Sequence, residues 1–217
     1  MKSCLCFFIF LTVGLLPSFA HAQIIPVSRL SSVRFNSSTI ESTSFDPFAE
    51  MFFDSGSPLV DQNSMFDNQV VSVNTELQNI GTSNVGGGEI SASSRFELVF
   101  DLSDSSVFQL TGLLTESDAQ NFGESFVRLD GPTSFDFQSI PGLYSAPTTT
   151  SIDEFFLLPS GRYTLEIGSL GFGNDVEPVA DSSAAVTFQF VGTAVPEPSS
   201  TFVLFATCIP LLVRRKH

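Results

Sequence analysis

Phe96-Glu97-Leu98-Val99-Phe100-Asp101 puts Phe96, Leu98 and Phe100 on one side of an extended chain and Glu97, Val99 and Asp101 on the other. Successive side chains of a strand point to opposite faces, so this alternation marks a half-buried β-strand. The same period of two recurs in Tyr163-Thr164-Leu165-Glu166-Ile167 and in Val186-Thr187-Phe188-Gln189-Phe190. Weaker runs cover 69–78, 107–115, 125–129, 134–138 and 152–158. Turn chemistry separates them: Gly86-Gly87-Gly88, Asp104-Ser105-Ser106, Asp130-Gly131-Pro132, Pro141-Gly142 and Pro159-Ser160-Gly161. Eight candidate strands with few helix formers between them predict an all-β protein, an antiparallel β-sandwich of jelly-roll-like type. One short helix is expected at most, within 113–120 or 44–53. Residues 23–67 read as a less regular arm, serine-rich but with Phe45, Phe48, Phe52, Phe53 and Phe66 asking for burial. Residues 171–183 read as a long polar loop and 192–197 as a short linker.

The core is built from an unusual stock. The chain has no Trp, two Tyr and 24 Phe. Phe brings large buried area and no polar atom that needs a partner. Both ends are apolar for a different reason. Lys2, the run Leu5 to Leu16 and Ala20-His21-Ala22 have the order of a charged start, a greasy stretch and a small-x-small cleavage site. This predicts a signal peptide over 1–22, read by signal peptidase at Ala20 and Ala22, with Gln23 as the mature start. The sandwich then spans 23–192 and the tail 193–217.

Removing the ends changes the chemistry on offer. Cys4, Cys6 and Cys208 all lie in them, as do His21 and His217. The middle therefore has no disulfide, no thiolate metal site and no imidazole. Between Gln23 and Pro198 the basic residues are Arg29, Arg34, Arg95, Arg128 and Arg162, against all 23 acidic residues, a formal charge of 5 − 23 = −18. Such a protein repels nucleic acid, whose binding needs Lys and Arg against phosphate, and anionic membrane surfaces.

The tail has three parts. Val195-Pro196-Glu197-Pro198 is stiff, because each proline fixes its own φ and biases the residue before it toward an extended form. An apolar run follows from Thr201 to Val213, and Arg214-Arg215-Lys216-His217 closes the chain. As a helix, 199–213 reaches about 22 Å at 1.5 Å per residue. A bilayer core is about 30 Å thick, so the segment suits a transient anchor better than a permanent one.

This order resembles the PEP-CTERM sorting signal of exported proteins in Gram-negative bacteria. The resemblance implies that Pro196, Glu197 and Pro198 are a recognition element. It implies that the run is a short hydrophobic helix entering the inner membrane transiently, and that Arg214, Arg215 and Lys216 stop transfer. The implied partners are signal peptidase and an exosortase, and the implied setting is the cell envelope, the cell surface or an exopolysaccharide-rich biofilm matrix. The stretch Leu158 to Leu165, a tight turn leading into an alternating strand, is similar to exported β-sandwich ectodomains commonly found ahead of such tails.

With His and Cys absent from the middle, the usual nucleophile–base pairs are out of reach. The chain reads as non-enzymatic and without a cofactor. A calcium-dependent carbohydrate or matrix-binding module is the alternative, with Asp101 and Asp104 flanking one turn, and Asp175, Glu177 and Asp181 in one loop, as oxygen ligands. Neither set matches a twelve-residue calcium loop. A glycoside hydrolase working through two carboxylates is the third reading.

Overall fold

The computed structural model describes residues 24–54, 57–78, 90–117, 123–139, 147–173 and 181–193. The signal peptide, the Pro-Glu-Pro motif, the expected C-terminal helix, Gly86 to Gly88, and Asp175 with Glu177 lie outside them.

The chain is an antiparallel β-sandwich of twelve described strands. They are β1 (Ile24–Phe35), β2 (Ser38–Ser42), β3 (Phe48–Asp54), β4 (Ser57–Asp67), β5 (Val70–Leu77) and β6 (Ile90–Leu102). The second half supplies β7 (Ser106–Glu116), β8 (Gly123–Asp130), β9 (Phe135–Ser139), β10 (Thr148–Leu158), β11 (Gly161–Gly173) and β12 (Ser182–Thr193). Sheet A runs β2-β1-β6-β11-β8-β9 and sheet B runs β10-β7-β12-β5-β4-β3. Counting from β5, the inner eight strands read first-eighth-third-sixth in sheet B and second-seventh-fourth-fifth in sheet A, which is the jelly-roll order. The β1–β4 segment adds two strands to one edge of each sheet.

All eight strands expected from alternation are present, several of them longer than their apolar pattern. The arm 23–67 is a correction: from Ile24 onward it is four paired strands. Both candidate helices are corrections too, since 48–54 is β3 and 106–116 is β7, and no helix occurs among the described residues. Phe48 and Phe52 stand four apart, a spacing that shares one face in a strand as it does in a helix, so the sequence alone is ambiguous there. Pairing with β4, Phe48 opposite Ser64 and Phe52 opposite Val60, settles it. The polar loop expected over 171–183 is shorter, because β11 continues to Gly173 and β12 starts at Ser182. The linker expected from Gly192 begins inside β12.

Phenylalanine fills the main core. Phe108 stacks on Phe188 at 4.6 Å between ring centres, Phe188 meets Phe100 at 6.2 Å, and Phe100 stacks on Tyr163 at 5.5 Å, joining the two sheets. These four rings are fully buried. Phe156 closes one edge against Phe135 at 4.5 Å. A second, smaller cluster of Val33, Phe48, Val60, Leu77 and Ala92 lies under the added strands. Near it the interior turns polar. Arg29 is 2% exposed, and its guanidinium donates to the Asp46 carbonyl at 2.5 Å and to the Ser64 hydroxyl at 2.8 Å. It also sits over the Phe96 ring at 5.4 Å.

The outer face of sheet A is charged and paired. Arg95 bridges Glu97 and Glu166, and Arg128 bridges Glu124 and Asp136. Phe126 lies under Arg128, whose guanidinium is 4.3 Å from the ring centre. Gly168 leaves room for that ring: a Cβ there would stand 2.9 Å from both the Phe126 Cζ and the Ser94 carbonyl. One end of the sandwich is sealed by short turns. A Cβ on Gly131 would approach the Tyr163 ring to 2.4 Å, and the Tyr163 hydroxyl donates to the Pro159 carbonyl at 2.9 Å.

Candidate functional site

The other end of the sandwich opens into a cleft of about 320 Å³. It forms where β5 and β7 finish and β10 and β12 begin. Register places Leu77, Ser182, Glu116 and Thr148 side by side across the four strands. Burial shows that Leu77, Glu116 and Ser182 turn into the sandwich. One residue along in register come Glu76, Ser183, Thr115 and Thr149, which face the outer side. Asp181 is held at the rim, its N–H donating to the Ser117 hydroxyl at 2.9 Å and its carbonyl accepting the Ser117 N–H at 2.8 Å. The Thr115 and Ser183 hydroxyls bond at 2.6 Å.

Glu116 is the unusual group. It is 1% exposed, and neither carboxyl oxygen has a hydrogen-bond partner. Burial pushes this carboxyl up to about 9, opposed by Ser125 and reinforced by the charges of Glu124 and Asp181. The Ser125 hydroxyl, close enough to lower the carboxyl, donates to the Thr115 carbonyl at 3.2 Å. Ser182, paired with Glu116 in register, is 2% exposed, and its hydroxyl also lacks a partner. The acidity extends along sheet B. Glu76, which accepts from the Gln78 amide, faces Asp61 across β5 and β4. Burial raises the Asp61 carboxyl, and Glu76 adds to the rise.

The residues expected from sequence as calcium ligands separate. Asp101 receives both arms of Arg162, at 2.8 and 2.9 Å, which hold its carboxyl below the usual range. Asp104 accepts the Ser103 hydroxyl at 3.0 Å in the neighbouring turn. Both lie by the start of β7, whereas Asp181 lies by its end, roughly 33 Å away at 3.3 Å per residue. Among the described residues no three acids are grouped to hold one metal ion. Sequence reading missed Glu116 itself. The signal was there: counting in twos from Phe108 through Leu110 and Leu114 on the inward face reaches Glu116.

No protein-family model and no curated protein matches the chain. Among solved structures it is similar to the carbohydrate-binding module TmCBM61, seen with β-1,4-galactotriose, at 14% identity and a TM-score of 0.26, over 57% of this chain and 87% of that one. It is also similar to the enzymatically active domain of bacteriophage CBA120 tailspike protein 4, at 10% identity and a TM-score of 0.28, over 63% of this chain and 18% of that one. The infectious bursal disease virus Gx strain structure matches at 12% identity and a TM-score of 0.27, over 83% and 64%. Likeness at this level says nothing of what this chain binds.

Proposed function

We propose that the chain is an exported, non-enzymatic protein of the cell surface or extracellular matrix, delivered through the PEP-CTERM and exosortase route. The observation that carries this reading is the tail sequence itself: Val195-Pro196-Glu197-Pro198, the apolar run from Thr201 to Val213, and the closing Arg214-Arg215-Lys216-His217. β12 ends at Thr193, and only Ala194 and Val195 separate it from Pro196.

The test is mass spectrometry of both ends of the mature protein, from cells with and without the exosortase. The expected mature form starts at Gln23 and lacks Arg214 to His217 only when the enzyme is present. A secreted, mature form that keeps Arg214 to His217 would overturn the reading.

Within that role the cleft is a binding site. Glu116, at about 9, is too weak an acid to serve well as a proton donor near neutral pH. Carboxylate hydrolysis is the competing reading, because three acids, Glu76, Glu116 and Asp181, share one cleft and such hydrolysis needs a pair. Release of reducing ends from matrix polysaccharide, abolished by E116Q, would establish hydrolysis and remove the non-enzymatic reading.

A further inference from the structure

Buried polar groups are nearly always paired, and each one left unmet costs about 1–3 kcal/mol. Here three unmet buried atoms, both Glu116 oxygens and the Ser182 hydroxyl, stand on adjacent strands, and their residues line one cleft. Their common preference can be read from the charges around them. Glu76, Glu116 and Asp181 line the cleft, and no Lys or Arg does among the described residues. Glu124 packs close by, and its partner Arg128 is shared with Asp136. A buried carboxyl ringed by acids resists its own negative charge and is relieved by a positive one.

Two features decide what carries that charge. Among the described residues the acids are not grouped tightly enough for a metal ion, and about 320 Å³ is far more than a bare ion fills. The rest of the wall carries hydroxyls: Ser117 and Thr148, the latter bonded to Ser139, beside Glu116, and Thr149 with the bonded pair Thr115 and Ser183 on the outer lip. Such a wall matches a ligand that itself carries many hydroxyls.

We propose that this cleft binds the ammonium group of a polyhydroxylated ligand, an amino sugar with a free amine, through Glu116 and Ser182. The ammonium donates to the two Glu116 oxygens and to the Ser182 hydroxyl. Thr and Ser side chains then meet the sugar hydroxyls. As the ammonium enters, Glu116 gives up its proton to solvent, so binding at pH 6, where the sugar amine is already protonated, releases about one proton per ligand. Assigning the sugar to a polysaccharide rests on the matrix reading above; the cation site does not.

The test is isothermal titration of the full chain with a fully deacetylated glucosamine tetramer. The comparators are the N-acetylated tetramer, cellotetraose and calcium chloride. Each titration is run at pH 6, where the sugar amine is protonated, in MES and in ACES, which differ in ionisation enthalpy and are not polyhydroxylated amines. The expected result is binding of the deacetylated tetramer at least tenfold tighter than either neutral tetramer, with about one proton released. E116Q is expected to lose tenfold or more while keeping its cooperative melt, and S182A to lose less. Equal binding of the acetylated and deacetylated tetramers would overturn the proposal. So would unchanged affinity in E116Q, or Glu116-dependent heat from calcium with none from the tetramer. Because this is read on purified protein and the delivery route is read in cells, each idea fails separately.

Discussion

Replacing Glu116 with Gln isolates one buried titration and gives it a sign. The carboxyl ionises near 4.5 in an unfolded chain and near 9 in the fold. Its folded value is raised, so the stability it allows is full below pH 4.5 and is lost as pH climbs toward 9. Each unit inside that window costs about 1.4 kcal/mol, because the unfolded chain gives up the proton that the fold retains. Between pH 5 and pH 7 the loss is about 3 kcal/mol, an upper figure because the cleft admits water. Gln has nearly the same shape and does not titrate. Urea unfolding of both proteins at pH 5 and pH 7 reads the difference directly. E116Q is expected to gain about 3 kcal/mol on the natural protein over that interval, while Asp61 and the surface acids contribute equally to both and cancel. Parallel pH profiles would refute the reasoning, because they would mean that the carboxyl already finds a partner or solvent in the fold.

Arg29→Ala removes a donor from the Ser64 carbonyl and hydroxyl inside the sandwich and from the Asp46 carbonyl at its edge, and is expected to cost about 1–3 kcal/mol in urea unfolding. Phe188→Ala removes the ring that touches both Phe100 and Phe108, and a loss of about 3–5 kcal/mol is expected by the same measurement. Gly168→Ala drives a methyl into Phe126 and the Ser94 carbonyl; calorimetry is expected to show about 1–3 kcal/mol of destabilisation, and an unchanged melting temperature would mean that the ring moves freely.

The strands that could be read from sequence are those whose inward positions are apolar, as Phe96, Leu98 and Phe100 are. Strands β1 and β4 escaped because their inward positions include Arg29, Ser31, Gln62 and Ser64, all buried. A period of two in polar residues looks like loop. The register shift between Pro26 and Ser28 also changes the phase partway along β1, so no single alternation runs its length. The cleft was hidden for a related reason. Glu116 ends a strand whose inward face is otherwise Phe and Leu, and an acid at a strand end is ordinarily at the surface. Only the pairing of four strand ends around it shows that it is enclosed. Asp101 shows the opposite case: it looked available, and Arg162, directly across from it on β11, takes both its oxygens.

The two ends of β7 give the cleft a direction. Thr193, where the described chain stops, pairs with Ser106 at the start of β7, while Glu116 pairs with Ser182 at its finish. Thr193 therefore lies at the turn-sealed end, and the acid cleft lies roughly 33 Å away along the strand. On the proposed route, a tail attached beyond Thr193 joins the domain roughly 33 Å from the cleft. Anchored and cleaved forms are then expected to bind the deacetylated tetramer alike, within about twofold. A tethered form that binds only after release of its tail would mean that the tail lies across the cleft, and the separation drawn along β7 would be wrong.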